Sequence, residues 1–188
     1  MFVYCGNNPV VNSDPGGHLW RIAVVVVGAA IAFSACTSDA MNCYAYALRL
    51  EEKPDIGPID PGGLAGEDIA RTQLYASPEV VTDLIEEGMK KDAEILDYKF
   101  GYVFQSSTHE PAEGNWLIFV AYCPEPSIAD YHYWRQEEDG TWSHYVPNKG
   151  IKYEDFSGKP ITDPLFSDRG KYTEVIGYYE IGPNRGGN

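Results

Sequence analysis

The chain has 188 residues, of which 44% are apolar and 13% aromatic, and its formal charge is −14. That supports one domain with a real hydrophobic core and excludes a disordered chain. The negative charge repels nucleic-acid phosphates and anionic membrane surfaces, so neither is expected as a partner. Four cysteines (Cys5, Cys36, Cys43 and Cys123) are too sparse for a disulfide scaffold. They show no CxxC or Cys/His spacing, so no metal site and no cofactor is expected.

In chain order, "CGNNPVVNSDPGGHLW" is turn chemistry, rich in Asn, Pro and Gly. Ile22 to Ala35, "IAVVVVGAAIAFSA", is apolar or small throughout. It falls short of the roughly 20 residues that span a bilayer, so no stable membrane span is expected. Arg21 before it and "FSAC" after it imitate a lipoprotein signal, with Cys36 as the lipidated residue. The turn-rich leader in front is unlike the short basic start of such a signal. From about residue 37 the pattern reads as α+β. Ser38 or Asp39 can cap a helix that contains Cys43 and runs to about Leu50. Residues 53–66, "KPDIGPIDPGGLAG", form a loop. Residues 77–96 form the clearest helix, with Ser77 as cap, Pro78 in the first turn and an apolar stripe of Val80, Val81, Leu84, Ile85 and Met89. Five strands follow: Tyr98–Phe104, Trp116–Tyr122, Tyr131–Gln136, Trp142–Val146 and Tyr172–Ile181.

A thiol becomes a nucleophile when a helix N-terminus favours its ionised form and an imidazole can take its proton. Cys43 lies in the first turn of its expected helix. Residues 130–150, "DYHYWRQEEDGTWSHYVPNKG", read as a β-hairpin carrying His132 and His144. Its register decides whether the two cooperate. With a three-residue loop of Glu138, Asp139 and Gly140, and Gly140 left-handed, Glu137 pairs with Thr141. Trp134 then faces His144, and both histidines share one face as diagonal neighbours. His132 would be the general base, His144 would orient it, and Asn42 is a candidate oxyanion donor beside the Cys43 backbone N–H. Asp155 and Asp163 are alternative orienting acids. Taken alone, Cys43 also reads as a buried small hydrophobe, Cys123 as a structural thiol, and His18 and His109 as solvated side chains. The paired acids, including Glu137/Glu138, read as solvated surface rather than a glycosidase dyad.

Two resemblances extend this reading. Tyr4, Asn7, Asn8, Pro9, Val10, Asp14, Pro15 and Gly17 resemble the end of the core of Rhs/YD-repeat proteins, with His18 where Leu is usual. The resemblance implies a toxin cassette: a junction remnant over 1–20, an apolar linker over 21–36 and an effector domain over 37–188. It further implies secretion or delivery to a target cell and an immunity protein as partner. The order and spacing of Cys43, His132 and His144 resemble papain-like cysteine hydrolases of the NlpC type. Here Asn42-Cys43-Tyr44-Ala45 replaces the usual Asp-Cys-Ser-Gly. That likeness implies a nucleophile helix packed on an antiparallel sheet of about five strands. It also implies hydrolysis of an amide bond in a peptide or peptidoglycan. A deamidase or acyltransferase would use the same triad. A non-catalytic, aromatic-faced binding module and a protein lipid-anchored through Cys36 are the other readings of the chain.

Overall fold

The computed structural model describes residues 41–52, 56–104 and 109–185, the side chains of Glu52, Arg71 and Thr72 excepted. The expectations placed on residues 1–36, including Cys36, and the caps at Ser38 and Asp39 lie outside the described residues. The first described helix, α1, is Cys43–Ala47. Asn42 caps it: its backbone is extended and its Oδ1 accepts from the Ala45 N–H at 2.9 Å. The expected end at Leu50 is corrected. Leu48 closes the helix, and Arg49 turns left-handed with φ 57°, which no α-helix continues through. Every residue of α1 is buried.

The second helix, α2, is Pro78–Ile95, with Ser77 and Pro78 in their expected places. Val81, Ile85, Met89 and Ala93 recur every four residues and face the core. Short 3₁₀ turns lie at Leu50–Glu52 and Arg71–Tyr75.

Six strands form one antiparallel sheet: β1 (Tyr98–Val103), β2 (Trp116–Cys123), β3 (Asp130–Gln136), β4 (Trp142–Val146), β5 (Gly150–Lys152) and β6 (Glu174–Pro183). The spatial order is β1-β6-β2-β3-β4-β5. β5 was not expected, because three residues are too short to show an alternating pattern. It pairs through a turn in which Asn148 and Gly150 take φ of 62° and 71°. Tyr172 lies ahead of β6 rather than in it. Central β2, "WLIFVAYC", is buried at all eight positions, as its unbroken apolar run requires of a strand covered on both faces.

One face packs against α1 and α2 through Ile118, Val120, Tyr133, Tyr179 and Ile181. The other face carries Leu117, Phe119, Trp134, Trp142 and Tyr178, and is covered by Ile161 and Tyr172 from the segment between β5 and β6. The β3–β4 hairpin has the three-residue loop read from its sequence. Glu137 N–H donates to the Thr141 carbonyl at 2.8 Å, Gly140 has φ 84°, and Trp134 is paired with His144.

Candidate active site

Strand alternation sorts the candidate side chains. Tyr131 and Tyr133 point to the α1 face, where the Tyr44 and Tyr133 rings meet at 4.8 Å, tilted by 44°. His132 and Trp134 point to the other face. There His132 Nε2 lies 2.7 Å from His144 Nδ1. His144 Nε2 in turn lies 3.0 Å from the Glu154 carbonyl oxygen. A carbonyl only accepts, so His144 Nε2 carries the proton and its Nδ1 is an acceptor. His132 Nε2–H therefore donates to it. In the neutral pair, His132 Nδ1 keeps its lone pair. The relay is held in an aromatic box. Tyr172 stacks on the His132 ring at 4.8 Å, Trp134 meets it edge-on at 4.6 Å, and Phe156 meets His144 at 5.3 Å.

Cys43 is not hydrogen-bonded to either histidine. It is 8% exposed, and its Sγ lies 3.8 Å from the Tyr131 carbonyl oxygen, to which it donates. The backbone N–H groups of Tyr133 and Tyr44 point at the sulfur. The thiol therefore lies against the strand backbone on both sides of His132, while the imidazole projects to the opposite layer. Burial, with the negative charge of Asp130 and Asp60, pushes the thiol pKa up to about 12. The thiol is protonated at rest.

The remaining candidates are placed elsewhere. Asn42 is the helix cap, and its Nδ2 donates to the Ile59 carbonyl at 2.7 Å, so both ends of its amide are in use. Asp155 does not reach His132. Its carboxylate accepts from the Ser157 and Lys159 N–H groups, each at 2.9 Å, and from Asp168 N–H at 3.1 Å, which holds it near a pKa of about 2. Asp163 accepts from Leu165 N–H and from the Tyr178 hydroxyl. Both acids organise the segment between β5 and β6. His109 is not simply solvated but bonds Glu180 at 2.5 Å. Glu137 is no free loop tip: it accepts from Tyr46 O–H at 2.8 Å and pairs with buried Arg135. Sequence reasoning gave no site role to Tyr172, Phe156 or Asp130, although Asp130 opens the hairpin motif. The Tyr131–Trp134 run of aromatics flanking His132 was the one available signal of the box.

Burial pushes His132 well below the ordinary histidine pKa, helped by its coupling to His144, which resists a second proton on the pair, and by the positive charge of Lys171. Burial lowers His144 too, against the pull of the Glu154 carbonyl. An unfolded chain then binds protons that the folded one refuses. The stability this contributes is complete above the unfolded value of about 6.5 and is lost as pH falls below it toward the folded values. Thermal melts between about pH 7.5 and about pH 5.5 should show the melting temperature falling with acid. The fall should be smaller in His144→Leu. A melting temperature independent of pH over that window would show that the pair is not held neutral.

No family model matches the chain, and no solved structure matches it. Over 54 residues it is 41% identical to insoluble matrix shell protein 1 of Ruditapes philippinarum, a stretch that covers 29% of this chain and 36% of that protein. The chain thus spans about a third of the length of the curated relative it matches.

Proposed function

We propose that the chain is a cysteine-dependent amide hydrolase of papain-like, NlpC-type architecture, acting on a peptide or peptidoglycan amide as the effector of a delivered toxin. The observation that carries this reading is the His132–His144 hydrogen bond with its direction set by the Glu154 carbonyl. It leaves His132 Nδ1 as the basic atom, on the residue whose flanking backbone holds the Cys43 thiol.

The chemistry follows from that placement. The reading requires substrate binding to shift α1 against β3, because at rest the Cys43 S–H bonds the Tyr131 carbonyl on the layer opposite the imidazole; after that shift it passes its proton to His132 Nδ1. The thiolate attacks the amide carbonyl, and the α1 N-terminus stabilises the oxyanion. The C–N bond breaks as His132 returns the proton to the leaving amine, which leaves a thioester on Cys43. Water activated by His132 then releases the acid. An amine in place of water makes the same centre an acyltransferase, and a side-chain amide makes it a deamidase. A second reading is favoured by the thiol itself: pushed up to about 12 and bonded to a backbone carbonyl, Cys43 fits a structural thiol in a non-catalytic, aromatic-rich binding domain.

Inducible expression of the chain in the bacterial cytoplasm and periplasm separates the two readings. The hydrolase reading expects the wild type to stop growth in one compartment and Cys43→Ala to be harmless in both. The compartment then indicates the substrate class. Equal toxicity of both proteins sinks the hydrolase reading, and toxicity of neither points to the binding domain or to a non-bacterial target. If the toxin reading holds, the immunity partner of this acidic chain should present a basic contact surface.

A further inference from the structure

The segment between β5 and β6, residues 153–173, is built unlike the rest of the domain. Among the described residues, its backbone-to-backbone hydrogen bonds outside regular strands are internal, while the Glu154 carbonyl bonds His144 Nε2 of the sheet. Asp155 N–H donates to the Lys159 carbonyl, Phe156 N–H to the Asp168 carbonyl, Ile161 N–H to the Tyr153 carbonyl and Tyr172 N–H to the Arg169 carbonyl. The Asp155 carboxylate ties its two halves together. Only Ile161, Pro164 and Tyr172 of the segment are buried. Its backbone thus folds on itself and is fastened to the sheet by a few discrete bonds, through the Glu154 carbonyl, Asp163 and Tyr172, and such units can open at less than the global unfolding free energy.

Its position is specific. Tyr172 stacks on His132 and Phe156 packs on both histidines, so this segment leaves His132 2% exposed. Its fastening is also specific. Tyr172 O–H donates to Asp130 Oδ2 at 3.0 Å, and Lys171 Nζ lies 3.0 Å from the same oxygen. Asp130 begins β3, two residues before His132.

We infer that residues 153–173 form a movable cover over the His132–His144 pair, latched to the sheet by Lys171 and Tyr172 on Asp130. A substrate carbonyl cannot meet an imidazole that is enclosed by aromatic rings, so the cover lifts before the pair meets a ligand. The inference goes beyond the hydrolase reading, and its test needs no substrate, so the two can fail separately.

The experiment measures amide hydrogen exchange and the carbethoxylation rate of His132, by peptide mapping, in the wild type, Asp130→Asn and Lys171→Met. Both variants keep the Tyr172 ring on His132. The cover predicts exchange across 154–172 and modification of His132 at least about tenfold faster in both variants, with β2 and β3 amides unchanged. Unchanged exchange in the segment overturns the inference. So does faster exchange that β2 shares, which reports global destabilisation, or faster segment exchange without faster His132 modification.

Discussion

Asp92→Ala is expected to destabilise the fold by about 3 kcal/mol and to lower its melting temperature by about 10 °C, the largest effect of any single polar substitution in the described domain. The carboxylate is 0% exposed. One oxygen accepts from the Tyr44 hydroxyl at 2.8 Å and the Gly62 N–H at 2.7 Å. The other accepts from the N–H groups of Leu64 at 2.9 Å and Ala65 at 3.3 Å. Burial still pushes the Asp92 pKa up, with those four donors pulling against it. Truncation leaves four donors facing a void, and an unsatisfied buried donor costs more than its hydrogen bond contributed. The cost reaches the site, because Tyr44 is the residue after Cys43. The bonds also set how closely the 61–66 loop lies on α2: a Cβ at Gly88 would come within 2.7 Å of the Pro61 carbonyl carbon. Urea denaturation gives the number. A loss under about 0.5 kcal/mol would mean that the donors find other partners.

If the hydrolase reading holds, His144→Leu is expected to slow alkylation of Cys43 by iodoacetamide at neutral pH by about two orders of magnitude, whereas His144→Gln should recover most of the rate. Leucine fills the aromatic box but offers no acceptor to His132 Nε2–H, so the imidazole is free to turn and to exchange tautomers. Glutamine offers both groups the position needs: an amide oxygen for His132 Nε2–H and an amide N–H for the Glu154 carbonyl. A purely packing role for His144 would give the opposite order, with leucine the milder change. Equal rates in the wild type and both variants would detach Cys43 from the histidine pair altogether.

Much of the architecture is written in local patterns that the fold leaves intact. The unbroken run in β2 demands cover on both faces. Pro78 and the four-residue recurrence of Val81, Ile85 and Met89 define α2. Gly140, at the one loop position that needs a left-handed residue, sets the β3–β4 register, and that register brings His132 onto His144. What stayed hidden depends on long-range packing. Alternation along β3 puts Tyr131 and Tyr133, not His132, on the face of α1, and no spacing between Cys43 and His132 reports that. Asp155 and Asp163 look like candidate acids in sequence, but their oxygens are taken by backbone N–H groups and a tyrosine that only the folded segment supplies. Asn42 reads as a polar neighbour of a candidate nucleophile until the helix is seen to begin one residue after it.

The strand order has a consequence for how the domain comes into being during synthesis. β2 to β5 form a simple meander, and each strand can pair with its predecessor as it leaves the ribosome. β1 cannot: its sheet neighbour is β6, which pairs Tyr98 with Pro183 and also Trp116 with Ile181. Until β6 is made, β1 has no strand beside it, and the inner edge of β2 lies open with its apolar side chains exposed. The nascent chain therefore carries a sticky, unpaired edge from the making of β2 until that of β6, and closes its core in one late step, when β6 inserts between two strands made before it.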